Sequence, residues 1–347
     1  MRTFTSDLPD ELVRQGLDLK DTHDFDLKKA REKLKREDWE KSILPYSYRP
    51  FDDRFICYRL ELVDRDRYEV MKNFFKENLG IVLMRQYVYA PVKIYNYVFC
   101  VDKISDTRLF ISNRGAGFIC PLYLYPDTDK NETGNPNKKR SFGSAMMLFE
   151  PAREYTARTP NIGPAIFEKL MKHFCKTLSS EEIFYYIYAV LYSNIYRTKY
   201  AEFLKIDFPR IPFTGDYKLF SKMAGYGKKL VDLHLLKAQE LDHPATKYQG
   251  KGNDRVGKLI YEGKEDRVYI NEAQYFEGIT EEVWQYQIGG YQVLSKWLKD
   301  RKGRVLTLDD TKHYCKVAMS LKKTIEAQKT IDDLYPEVEK KTVEFRK

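Results

Sequence analysis

ILPYSYRPFDDRFICY, residues 43–58, sets two short apolar runs on either side of a Pro50-Phe51 turn. The runs SILPYSY (42–48) and RFICYRL (54–60) are rich in Tyr, Ile and Phe and bounded by Pro and Asp, so they read as strands. The same texture continues to Asp127, in GIVLMRQYVY (80–89), YNYVFCV (95–101) and FICPLYLYP (118–126). One helix interrupts it, DRYEVMKNFFKEN (66–78), with Val70, Phe74 and Phe75 on one face. These runs predict a mixed sheet with a helix laid on it.

On the N-terminal side, FDLKKAREKLKRED (25–38) spaces Phe25, Leu27, Ala30 and Leu34 as one face of a short amphipathic helix. Its cations Lys28, Lys29, Arg31, Lys33, Lys35 and Arg36 read as a solvated face. On the C-terminal side, DTDKNETGNPNKKRSFGS (127–144) is polar and turn-rich and predicts a long exposed loop. After Pro160 the period becomes helical. NIGPAIFEKLMKHF (161–174) opens with a cap and a proline, and SSEEIFYYIYAVLYSNIYRTKYAEFL (179–204) has Ser179 or Ser180 as N-cap and acids in its first turn. Phe184, Ile187, Tyr188 and Leu191 form its core stripe, and a further helix covers 217–240. Residues 255–276 predict a hairpin turning at Gly263-Lys264-Glu265-Asp266, followed by helices over 289–303 and 306–334. The fold class is α+β: a mixed β-sheet with packed helices and a helical C-terminal part. Four segments follow, 1–38, 39–160, 161–250 and 251–347.

With 347 residues, 43% hydrophobic, and 27 Tyr and 20 Phe, the chain has enough apolar material for a sizeable core. No stretch approaches the roughly 20 apolar residues of a membrane helix, and MRTFTSDLPDELVRQ has no apolar signal-peptide run. A cytoplasmic location is therefore expected, with no membrane partner. Cys57, Cys100, Cys120, Cys175 and Cys315 are scattered singly, which argues against a disulfide framework or a structural zinc site and predicts small buried hydrophobes. The net charge of +9 favours a polyanionic partner, since cations release counterions from a phosphate backbone.

No complete catalytic motif is present. An N6-adenine methyltransferase needs a Gly-rich turn for S-adenosylmethionine and an Asn-Pro-Pro-Tyr type loop for the flipped base. The nearest strings, GAGF (115–118) and NPNK (135–138), complete neither. There is no GxxxxGK[ST] loop, GxSxG elbow or HExxH helix. Glu262-Gly263-Lys264 with Asp254 upstream resembles the Asp, Glu and Lys set of a Mg²⁺-dependent nuclease, but it runs into a turn where Gly and charges are ordinary. His23, His173, His234, His243 and His313 lie far apart, and nothing in the sequence selects one.

Several phrases together, in the same order, resemble one known family. They are ILPYSYRPFDDRFICY (43–58), NLGIVLMRQ (78–86), YVFCVDKISD (97–106), CPLYLYPD (120–127), FYYIYAVLYSNIYRTKYAEFLKIDFPRIPF (184–213) and GGYQVLSKWLKDRKGR (289–304). The set resembles the C-terminal target-recognition region of type ISP and type IIG restriction-modification enzymes with an N6-adenine methyltransferase. The resemblance implies that the nuclease, methyltransferase and, in type ISP, the motor lie N-terminal to this part. It makes residues 1–38 the end of a coupler. It also implies that S-adenosylmethionine and Mg²⁺ belong to the parent enzyme, with none held by this chain.

A target-recognition domain positions itself through phosphate contacts and reads bases with forked or amide side chains. Arg85-Gln86 offers both kinds, Arg suiting guanine and Gln adenine. Arg49 and Arg54 flank the Pro50-Phe51 turn, Arg114 stands beside Gly115, and Lys138, Lys139 and Arg140 form a phosphate-contacting cluster in the long loop. A structural role competes at the turn, where Arg49 or Arg54 pairs with Asp52 or Asp53. The leading expectation is sequence-specific recognition of double-stranded DNA. The alternatives are a coupling module whose helical half docks the methyltransferase, and an independent nuclease using Glu262.

Overall fold

The computed structural model describes residues 1–22, 25–36, 38–59, 61–63, 66–86, 94–111, 116–126 and 158–345. At the N-terminus α1 (Arg2–Thr5), α2 (Asp10–Gly16) and α3 (Leu27–Leu34) close a small core around Phe4, Val13, Leu27, Ala30 and Leu34. The apolar spacing thus places α3, but Arg31 is not on a solvated face. It is buried, donating Nε to the Phe4 carbonyl and Nη2 to those of Ser6 and Leu8, with Nη1 on Asp10. The carbonyls after a one-turn helix lack helical partners, and the guanidinium fork supplies their donors.

Next come β1 (Ile43–Arg49), β2 (Asp52–Cys57), α4 (Tyr68–Met71), β3 (Gly80–Leu83), β4 (Val98–Val101), β5 (Ile104–Ser105) and β6 (Phe118–Pro121). β1 and β2 form the expected hairpin, bulged between Ser47 and Arg49, and β5 adds parallel to β1. β4, β3 and β6 make a second, antiparallel sheet. The strand texture is therefore divided between small sheets, with a short pair β7 (Tyr123–Leu124) and β8 (Thr159–Pro160) beside them. The helix expected over 66–78 is cut short by its own Asn73. The buried Asn73 amide donates back to the Glu69 and Val70 carbonyls and accepts from the Tyr125 amide, so it ties α4 to the chain after β7 instead of prolonging it.

The helices are α5 (Pro164–Phe174), α6 (Ser180–Tyr192), α7 (Asn194–Lys199), α8 (Ala201–Leu204) and α9 (Tyr217–His234). Ser179 and Glu182 form a capping box on α6, and Phe184, Tyr188 and Leu191 are buried. The single helix expected over 179–204 breaks at Ser193, whose hydroxyl caps α7 by accepting from the Tyr196 amide. Asp332 fixes the break, accepting from the Ser193 hydroxyl, the Asn194 side chain and the Ile195 amide.

The C-terminal part extends the expected hairpin to four antiparallel strands. β9 (Lys247–Gln249), β10 (Ile260–Glu262), β11 (Arg267–Tyr269) and β12 (Tyr275–Glu277) stand in the order β10-β11-β12-β9. Then come α10 (Glu281–Trp284), β13 (Gln287–Ile288), β14 (Tyr291–Gln292), α11 (Val293–Lys299) and α12 (Leu308–Lys340). α12 starts at a Thr307–Asp310 capping box and is about 50 Å long. One core runs from Phe51 to Val338 and joins both sheets of the N-terminal half to α6, α9, α11 and α12. Cys100 and Cys315 are buried as expected, whereas Cys120 and Cys175 are exposed, and all five are free. Among the described residues, no helix is long and apolar enough to cross a membrane.

Candidate nucleic-acid interface

In the β4-β3-β6 sheet Leu83 pairs with both Val98 and Phe118, so the end of β3 and the starts of β4 and β6 share one edge. Arg85 and Gln86 stand there. The Arg85 Nε faces an Asp207 oxygen at 3.4 Å, and the Gln86 amide reaches the Ile206 carbonyl at 3.4 Å. Both contacts are long and exposed, so each holds its side chain weakly. The Asp207 carboxyl lies below the usual range, first because it accepts from the Phe208 amide and then because of Arg85. Phe118 packs edge-on to Phe208 at 5.1 Å between centroids, and Phe118 and Ile206 are 47% and 64% exposed. The edge thus sets a guanidinium and an amide beside an apolar ridge. Sequence reasoning found the polar pair and missed the ridge. Its signal was the DFPRIPF string (207–213), whose prolines end the helices and turn the chain back to the sheet.

The hairpin arginines are differently placed. Both guanidiniums lie over the Tyr48 ring, at 3.8 Å for Arg49 and 3.6 Å for Arg54. Arg54 bonds Asp52 at 2.9 Å, and Arg301, stacked on Trp297, bonds the other Asp52 oxygen at 2.9 Å. Burial pushes the Asp52 carboxyl up, but hydrogen bonds from Arg301 and Arg54 outweigh it and hold the group below the usual carboxylate range. Arg49 pairs with Asp106 at 3.4 Å, while Asp53 takes Lys103 at 2.8 Å. The pairing read for this turn is present between Arg54 and Asp52; Arg49 uses a more distant carboxylate. Phe51 has a left-handed φ of 62° and is held there by its ring against Phe99 and His234 and by His313 on its carbonyl.

One chain segment links the two places. Asp106 contacts Arg49, the Thr107 carbonyl accepts from the Gly117 amide, and Phe118 follows at the sheet edge. The structure thus places Arg49, Arg54, Arg85 and Gln86 along one connected path. Arg114, Lys138, Lys139 and Arg140 lie outside the described residues.

The nuclease-like string does not assemble. The Asp254 carboxylate accepts from the Tyr248 hydroxyl at 3.0 Å and the Gln274 amide at 2.6 Å, which commits it to holding its own loop. Glu262 ends β10 at the predicted turn, and among the described residues no three His, Cys, Asp or Glu are placed to hold a metal ion. His234 is buried between the Tyr188 and Thr324 hydroxyls, and burial pushes its pKa down to about 3.

No curated protein matches the sequence. Three solved structures share the fold. The ATP-dependent Type ISP restriction-modification enzyme LlaBIII bound to DNA has a TM-score of 0.64 at 23% identity, over 92% of this chain and 20% of that one. The DrdV–DNA complex has a TM-score of 0.66 at 19% identity, over 96% and 32%. A nuclease-deletion mutant of the Type ISP enzyme LlaGI, in complex with a DNA substrate mimic, has a TM-score of 0.57 at 20% identity, over 88% and 26%. This chain therefore spans a fifth to a third of the length of the enzymes it matches. Residues 1–330 match the family described as the Type ISP C-terminal specificity domain, and the chain belongs to that family.

Proposed function

We propose that this chain is the target-recognition unit of a restriction-modification enzyme: it binds double-stranded DNA and selects the site at which other parts of the enzyme act. The observation that carries the reading is the Arg85–Gln86 edge. A forked donor suited to guanine and an amide suited to adenine stand exposed at the end of the sheet. Among the described residues their hydrogen-bond contacts are long, at 3.4 Å, and Arg85 also lies over the Phe208 ring at 5.8 Å. A duplex can replace such contacts, which a buried ion pair would resist. Family membership in a specificity domain agrees with this, as does the lack of a complete catalytic motif. On this reading methyl transfer and cleavage, with their S-adenosylmethionine and Mg²⁺, belong to the parent enzyme.

The test is selection from random duplexes by the 347-residue chain, alone and with the parent's catalytic part added. A single enriched motif, with binding that weakens as salt rises, is the expected result. No enriched motif in either arm overturns the reading.

A further inference from the structure

Residues 250–258 and 302–306 form an edge that contains none of the DNA-contact residues proposed so far. The two segments are zipped antiparallel: Arg255 bridges to Val305, the Val256 amide donates to the Arg304 carbonyl at 2.9 Å, and the Gly303 amide donates to the Val256 carbonyl at 2.8 Å. Gly250, at φ 94°, lets the first segment pass Ala273, since a Cβ there would lie 2.1 Å from the Ala273 carbonyl oxygen. The Asp254 amide and carboxylate are both bonded to the Gln274 side chain. This is a built loop, not a slack one.

Within the two segments the charge is predominantly positive, although Glu272 lines the recess beside Lys258. Lys251, Arg255, Lys258, Lys302 and Arg304 are all exposed, and none has a carboxylate partner within 4 Å among the described residues. The acids of the same segments are turned to other duties. Asp254 is held by Tyr248 and Gln274, and Asp300, just before the second segment, is held by Lys296 and faces Arg54 at 3.8 Å. Lysines such as Lys103, Lys199 and Lys316 each meet an acid, whereas these two zipped segments bring five cations without such a partner together. The edge also adjoins the candidate interface, because Arg301 and Asp300 join it to Asp52 and Arg54 in the β1–β2 hairpin.

We infer that this edge is a phosphate-gripping surface, which takes the sugar-phosphate backbone of duplex DNA beside the base pairs read elsewhere. A fixed backbone and cations without acid partners suit a regularly spaced polyanion, and they supply affinity without sequence information. The inference rests on the DNA-binding reading above and assigns a separate part of the interface.

The experiment compares the full chain with a Lys251→Gln/Lys258→Gln/Lys302→Gln variant, using duplexes with and without the selected motif, across a salt series. All three positions are exposed, and circular dichroism checks that the fold is kept. The slope of log affinity against log salt should fall by about 0.9 for each phosphate no longer neutralised, and low-salt affinity by tenfold to a hundredfold, on the order expected for three such phosphates. Both duplexes should weaken equally, and the selected motif should not change. Arginine at the same three positions should keep the slope. So should Lys218→Gln/Lys222→Gln, since α9 starts beside Lys341, at the far end of α12. An unchanged slope in the triple glutamine variant, with the unaltered chain still selecting its motif, overturns this inference and leaves the recognition reading standing. A chain that binds no duplex at all overturns both.

Discussion

Gly227→Ala should force α6 and α9 apart, whereas Gly225→Ala, two residues earlier in α9, should strengthen the same helix. A Cβ on Gly227 would lie 1.8 Å from the Tyr185 carbonyl oxygen and 2.5 Å from its carbon, where ordinary contact begins at 3.4 Å. The obstacle is α6 backbone, so it cannot rotate aside, and the helices must separate by about 1.5 Å. A gap of 0.5–1 Å already forfeits about a quarter to a half of each dispersion contact. The same interface carries the Tyr188–His234 hydrogen bond at 2.6 Å and the Tyr186–Phe220 stack at 4.8 Å. Overpacking of this kind costs about 1–3 kcal/mol or more, and the stretched bond and stack add about 1–2 kcal/mol. Alanine's helical advantage over glycine returns about 1 kcal/mol, leaving a net destabilisation of about 1–4 kcal/mol. At Gly225 nothing lies within 4 Å, so only the gain of about 0.5–1 kcal/mol remains. Urea unfolding followed by far-ultraviolet circular dichroism reads both changes as opposite shifts of the midpoint at similar slope. Shifts of the same sign, or a Gly227→Ala protein as stable as the parent, would refute the close-packed α6–α9 contact.

Asp52→Asn removes the charge shared by Arg54 and Arg301 from a site 2% exposed, and should cost about 1–3 kcal/mol in thermal unfolding. Asp53→Asn, at a half-exposed carboxylate, should change stability by no more than about 0.5 kcal/mol. The His234 pKa is pushed down to about 3 in the folded chain, below its ordinary 6.5, so the unfolded chain binds the proton first. The stability of the neutral ring is thus complete above about pH 6.5 and falls as pH drops toward 3. His234→Gln should flatten the urea midpoint between about pH 6.5 and 4.5, above most carboxylate titrations, leaving the slope from the buried His313, whose pKa burial also lowers. Arg85→Ala should relax the preference at one base position by about 1–3 kcal/mol in duplex selection while sparing non-motif binding.

Local physics was legible in the sequence wherever a single segment settled it. An N-cap at Ser179, one of the two serines the sequence offered, Pro164 at the start of α5 and the Gly263–Asp266 turn appear where spacing and turn chemistry put them. The errors came where a distant residue decides. Asp332 breaks the long helix at Ser193 from 139 residues away, and Asn73 stops α4 because Tyr125 needs its oxygen. Arg31 looked like one of six solvated cations, and its burial depends on carbonyls at Phe4, Ser6 and Leu8 that no helical period reveals. The interface divides in the same way. Arg85 and Gln86 were visible as residue types, but the Ile206–Phe208 ridge beside them was not, since it comes from a turn more than a hundred residues later.

The arginines of this chain separate into two kinds by what they would give up to meet DNA. Arg54 lies over Tyr48 and bonds a buried carboxylate, so turning it toward a base would leave the Asp52 charge buried with one partner fewer. Breaking such a contact costs about 1–3 kcal/mol, as much as a good bidentate base contact returns. Arg85 gives up an exposed contact at 3.4 Å and a looser one over the Phe208 ring, and Lys251, Lys258 and Lys302 give up no ion pair among the described residues. The hairpin arginines therefore hold the Pro50-Phe51 turn against α11 and α12, and on the reading proposed above discrimination falls to Arg85 and Gln86 and attraction to the edge beyond Arg301. If these duties rest on different side chains, as proposed, changes at Arg85 and Gln86 should alter the selected motif and leave the salt slope of binding unchanged.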